Sequence, residues 1–177
     1  MKNQFMQYAI FTLALSSKIL QIELPKIDIV NLKIDSSHFI RAYVNQHEKT
    51  IYCEKNWVNG VDYPELIGVL SHECRHLYQF KQIALFQQEK NCEIDQKVYN
   101  QWMQELMRKS SISNEIKDDF RWEIEVDAEA YSAAIMRYCF QVEVQIIPEL
   151  KNTVETRILE FEHQYHLSNY RQKKGVL

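Results

Sequence analysis

From Pro64 to the mid-eighties the chain carries Leu66, Ile67, Val69, Leu70, Leu77, Phe80, Ile83 and Ala84, with neither glycine nor proline after Gly68. These apolar positions cover enough of a helix circumference to predict a helix buried on most sides. Yet the stretch Leu70–Gln79 also holds His72, Glu73, Arg75 and His76. Unpaired polar and charged side chains are costly in such a setting, so these four must pair or ligate. The rest of the chain has to fold around that requirement.

His72-Glu-Cys-Arg-His76 is a His-Glu-x-x-His run. Helical residues four apart sit about 40° apart around the axis and about 6 Å along it. His72 and His76 therefore present their imidazoles side by side, spaced for two ligands of a tetrahedral Zn²⁺. Glu73 is placed to reach a water at such a metal without ligating it, which suits a general base. Cys74 falls on roughly the opposite side of the helix and is a poor ligand. Asp62 precedes the helix as an N-cap, with Pro64 in the first turn and Glu65 three residues on completing a capping-box-like pair.

The 177 residues include only three glycines and three prolines, which favours long helices with short connections. One domain spanning 1–177 is the simplest organisation for that length. A net charge of −3 gives no global bias towards nucleic acid or an anionic membrane. Cys53, Cys74, Cys92 and Cys139 contain no Cys-x-x-Cys pair and read as free thiols of a reducing, cytoplasmic compartment. No stretch reaches membrane-spanning length. Lys2 and the apolar run Ala9–Leu15 have some features of a signal peptide, but one lysine and the interrupting Thr12 favour an amphipathic first helix.

In chain order, residues Gln4 to Leu20 predict a helix ended before Pro25. Ile27–Ile34, Phe39–Val44 and Thr50–Trp57 read as strands, the last two joined by a turn at Asn45–Lys49. Asn59–Asp62 reads as a further turn. A strand at the edge of this sheet offers backbone pairing to an extended peptide. After the His-Glu-x-x-His helix comes a polar stretch from Glu89 and a helix to about Lys109. Ser110–Asn114 reads as a loop, with Ser113 or Asn114 capping a helix to about Phe140. Pro148 opens the last helix. The fold class expected is α+β: a mostly helical domain with a small N-terminal β-sheet packed on the His-Glu-x-x-His helix.

A catalytic zinc keeps three protein ligands and one open position. The acidic segment Arg121–Tyr131 supplies the candidates for the third. Glu123 and Asp127 are four apart, so Glu123 can ligate while Asp127 accepts the second N–H of a ligating histidine. An offset frame uses Glu125 as the ligand with Glu129 behind it. A solvated acidic face is the simpler alternative. His163 and His166 are three apart on the last helix and suit a solvated face. Arg75 is available to pair with an acid of the second helix and lock the two together.

His72-Glu-Cys-Arg-His76-x-x-Gln79, followed by Glu123-Ile-Glu-Val-Asp127-Ala, resembles the gluzincin metallopeptidases. More narrowly it is similar to small zincins of the ImmA/IrrE-like kind, which pair His-Glu-x-x-His with a downstream Glu-x-x-Ala-Asp/Asn on a second helix. The resemblance implies a zincin-like fold and zinc held by His72, His76 and Glu123, with Glu73 as base and Asp127 as the supporting acid. Val126 stands where such families carry alanine, whereas the Glu125-Val-Asp-Ala128 frame keeps it. The implied function is zinc-dependent hydrolysis of peptide bonds in a protein or peptide substrate. The alternative is a binding or regulatory module of zincin fold without proteolysis. Tyr131, His163, His166 or an arginine would stabilise the oxyanion.

Overall fold

The structure, a computed structural model, describes residues 2–32, 40–111 and 122–171. Helix α1 (Lys2–Leu20) leads into strands β1 (Lys26–Val30), β2 (Ala42–Asn45) and β3 (Thr50–Glu54). Helices α2 (Lys55–Gly60), α3 (Tyr63–Gln87), α4 (Gln96–Ser111) and α5 (Glu123–Ala134) follow. A π-helical turn (Ile135–Phe140), a short 3₁₀ turn (Pro148–Leu150) and α6 (Lys151–Tyr165) complete the main elements. The chain is thus α+β, mostly helical with one small sheet. Among the described residues no helix is long and apolar enough to cross a membrane.

The sheet order is β1-β3-β2, with β3 central. β2 pairs antiparallel with β3 through the expected turn, and β1 lies parallel to β3 with Ile27 opposite Ile51. β3 alternates little because both its faces are covered: Ile51 and Cys53 are fully buried on one face, and Thr50 and Glu54 are buried on the other. It stops at Glu54, earlier than the predicted Trp57. The Glu54 carboxylate accepts a hydrogen bond from the Trp57 backbone N–H at 2.7 Å and so caps α2 instead.

Helix α3 is the axis of the fold. Asp62 caps it as expected, its Oδ1 accepting from the Glu65 N–H at 2.9 Å. α1 packs along one side with Ala9, Leu13 and Leu20 buried, β2 lies across another, and α5 covers a third. Across the α3–α5 seam Ser132 donates to the Gly68 carbonyl at 2.8 Å, and Ala128, Ala130 and Ala134 of α5 are fully buried. Small side chains let the two backbones approach, which brings acids of α5 within reach of histidines of α3.

α4 runs through Ser110 and Ser111, the first two residues of the expected loop; residues 112–121, with the proposed caps Ser113 and Asn114, lie outside the described residues. So do residues 33–39, which hold the end of the first predicted strand and the start of the second. α5 starts at Glu123 after Trp122, which gives no side-chain cap. Its cap comes from another helix. Glu105 of α4 accepts the Glu123 N–H at 3.0 Å and the Ile124 N–H at 2.9 Å, one on each carboxylate oxygen. An anion placed on the first free N–H groups also suits the helix dipole. Replacing Glu105 with Ala leaves these donors unpaired, one of them buried. We expect a loss of about 1–3 kcal/mol, a fall in melting temperature of several degrees, and a smaller loss for Glu105→Gln. A melting temperature within a degree of wild type for Glu105→Ala would remove this cap from the account.

Candidate metal centre

Two stripes of α3 face α5. His72 and His76 form one; Arg75 and Gln79, rotated by about 60°, form the other. α5 answers with two stripes of its own, Glu125/Glu129 and Glu123/Asp127. The registration between them decides which carboxylate meets the imidazoles.

Glu125 meets them. Its Oε2 lies 3.3 Å from His72 Nε2 and 3.3 Å from His76 Nε2, and the two Nε2 atoms are 3.0 Å apart. Among the described residues, this is the one group of three side chains placed to hold a metal ion. A tetrahedral zinc with N and O ligands at roughly 2.0–2.1 Å sets neighbouring donors about 3.3 Å apart. The three observed separations match that edge length, so the donor set fits zinc. The side chains of His72, His76 and Glu125 are 22%, 12% and 15% exposed, sunk but open on one side.

Glu129, one turn along α5, places Oε2 3.7 Å from His72 Nδ1. Burial opposes a charged His72, but hydrogen bonds with Glu125 and Glu129, and the charges of Glu73 and Glu125, push its pKa up to about 10.

Glu123, the third ligand expected from the resemblance, does not join the histidines. It is ion-paired with Arg157 of α6, on the far side of α5. The reason is rotational: positions 123 and 125 are about 200° apart around the helix, so only one can face the imidazoles. Asp127 also departs from its expected role, since it does not touch a ligating histidine. Arg75 holds it bidentately, Nε to Oδ2 at 2.8 Å and Nη2 to Oδ1 at 3.1 Å. Gln79 Nε2 donates to Asp127 Oδ2 at 2.7 Å, while Gln79 Oε1 lies 2.7 Å from His76 Nδ1. Arg75 does link α3 to an acid of the second helix.

His72 and Glu73 open onto a cleft of about 560 Å³. Gly68 and Val69, one turn before His72, extend its floor. Ile40, Arg41 and Ala42, leading into the outer strand β2, form one wall. Ser132, Met136 and residues 142–145 form the other. That second wall exists because the π-helical turn ends at Gln141 in the left-handed region (φ 60°), which sends the chain back in an extended run. In that run Val142, Val144 and Ile146 lean on the core while Glu143, Gln145 and Ile147 are exposed. π-helical turns are frequent beside functional sites.

The oxyanion candidates fare differently. Tyr131 is fully buried against Phe161 and Tyr165, away from the cleft. His163 and His166 are solvent-facing and do not line it. The arginine that does is Arg41, whose Nε pairs with Glu65 Oε1 at 2.8 Å. All four cysteines are free; burial pushes the Cys53 and Cys139 thiols up to about 12, so neither is a nucleophile at neutral pH.

Sequence reasoning ranked Glu125 second. The signal that favours it was Arg75: a buried guanidinium needs its own carboxylate, and giving it Asp127 turns Glu125 and Glu129 towards the histidines. Compared with known proteins, the chain matches no family, no curated protein and no solved structure.

Proposed function

We propose that this protein is a zinc-dependent peptidase of minimal gluzincin type, with His72, His76 and Glu125 as metal ligands and Glu73 as general base. The observation that carries the reading is the convergence of two imidazole nitrogens and one carboxylate oxygen, 3.0–3.3 Å apart, beside the floor of an open cleft. Two imidazoles and a carboxylate suit zinc among divalent ions. When bound, zinc supplies Lewis acidity that polarises a carbonyl oxygen and acidifies water.

The chain's own residues divide the remaining work. Glu73, 8% exposed at the cleft floor, takes a proton from the attacking water and returns it to the leaving amine. Among the described residues β2 is an outer strand of the sheet, with Ala42 lining the cleft, and can pair with the backbone of an extended peptide. The extended run 142–147 offers a second flank. Met136, Val142 and Val144 give the groove an apolar side that favours an apolar substrate residue next to the scissile bond. Arg41 stands on the β2 side, where a carbonyl oxygen developing charge would find a cation.

The test is the zinc content of purified wild type, Glu125→Ala and Glu123→Ala protein, measured by mass spectrometry after dialysis against zinc. Near-stoichiometric zinc is expected in wild type and in Glu123→Ala, and its loss in Glu125→Ala. Wild-type protein that takes up no zinc would end the peptidase reading. Loss in Glu123→Ala with retention in Glu125→Ala would return the third ligand to Glu123.

A further inference from the structure

We propose that Gln79 is a positioning residue: it relays the orientation of the Arg75-clamped Asp127 carboxylate to His76 and holds that imidazole in the tautomer with its proton on Nδ1. The inference rests on the metal reading above, but its first test does not require metal.

The argument is one of forced donors and acceptors. Gln79 is fully buried, so its amide has no water to turn to. Its nitrogen faces the Ile124 carbonyl at 2.8 Å and Asp127 Oδ2 at 2.7 Å. A backbone carbonyl can only accept, and so can an ionised carboxylate. Arg75, itself 5% exposed, donates to both oxygens of Asp127, so the carboxylate faces Gln79 as an acceptor. The opposite amide orientation would point an oxygen at two acceptors and is excluded. The Gln79 oxygen must therefore face His76 Nδ1, 2.7 Å away, and Nδ1 must donate.

With that proton fixed, the lone pair of His76 lies on Nε2, the atom 3.3 Å from Glu125 Oε2 and 3.0 Å from His72 Nε2. A ligating histidine usually gives its second N–H straight to a carboxylate or carbonyl. Here the carboxylate stands one side chain further back, and the amide transmits its orientation. Two stripes of α3 are coupled in this way. Arg75 sets Asp127, Asp127 and the Ile124 carbonyl set Gln79, and Gln79 sets His76. Every member comes either from α3 or from the first turns of α5, so the relay forms only when the two helices are docked.

The experiment begins with metal-free wild type and ¹⁵N-resolved NMR of the histidine rings, with His76 assigned by a His76→Gln variant. The expected pattern is a protonated Nδ1 and an unprotonated Nε2. Zinc affinity is then measured by chelator competition for wild type, Gln79→Leu and Gln79→Glu, with melting temperatures alongside. Gln79→Leu removes the acceptor and should weaken zinc binding about 10- to 100-fold, while its His76 ring becomes a mixture of tautomers. Gln79→Glu keeps an acceptor for Nδ1–H and should bind zinc more tightly than Gln79→Leu, although it faces Asp127. A folded Gln79→Leu with wild-type affinity would overturn the proposal. So would a wild-type His76 with its proton on Nε2, which also decides the matter should Gln79→Leu fail to fold. The expected tautomer in a chain that binds no zinc would instead leave the relay standing and remove the metal.

Discussion

Under the proposed peptidase reading, Glu73→Gln protein should bind zinc as wild type does and lose peptide hydrolysis by about 10²- to 10⁴-fold, the range over which a positioned general base contributes. The substitution keeps the shape of the side chain at the cleft floor and removes only its capacity to take up a proton. Glu73 is not among the three converging side chains, so metal content should stay at the wild-type level. The assay is cleavage of a quenched-fluorescent library of extended peptides, with single turnover at high protein concentration to expose slow chemistry. Wild-type cleavage that survives in Glu73→Gln would remove Glu73 as base. Wild type that holds zinc but cleaves nothing would favour the other class of function, a metal-holding binding module on the same scaffold. The metal and the chemistry are thus tested separately.

How much of this was legible in the chain depends on range. Local signals translated well: the Asp62 cap, the Asn45–Lys49 turn and the buried helix between them and Gln87 follow from residue types within a few positions of one another. The His72/His76 pair follows from helical period alone. The third ligand does not. Glu123/Asp127 and Glu125/Glu129 are both valid four-residue pairs, and the choice between them is a rotation of α5 about its own axis. That rotation is set by distant partners: Arg75 on α3, Arg157 on α6, Glu105 on α4. The parallel pairing of β1 with β3 was equally hidden, since a strand's own alternation does not reveal its neighbour's direction. Tyr131 shows the reverse error. One of several residue types able to stabilise an oxyanion, it faces the aromatic cluster of α6 instead.

The largest stability effect belongs to Arg75. Its guanidinium is 5% exposed, donates to both oxygens of Asp127 and to the Tyr165 hydroxyl at 3.0 Å, and lies over the rings of Tyr78 and Phe161 at 4.2 and 4.7 Å. Burial alone would disfavour its charge, but the charge of Asp127 and the hydrogen bonds to it hold the arginine protonated. Arg75→Met fills most of the volume and deprives the buried Asp127 carboxylate of its bidentate partner. Breaking one partner of a buried pair costs about 3–5 kcal/mol. At about 2–4 °C per kcal/mol for a chain of this size, the melting temperature should fall by about 6–20 °C. Arg157, whose Nη1 lies 3.7 Å from Asp127 Oδ1, offers partial compensation and favours the lower half of that range. Arg75→Glu sets two carboxylates together and should be worse still. The double variant Arg75→Met/Asp127→Leu removes both charges, and because an apolar pair can replace a buried ion pair at little cost, it should recover much of the loss. It should not recover zinc affinity, because Gln79 then has only the Ile124 carbonyl to hold its amide in place. A loss below about 1 kcal/mol for Arg75→Met, the scale of an exposed pair, would mean that α3 and α5 are held together by their apolar seam alone. The relay to His76 would then have no rigid end.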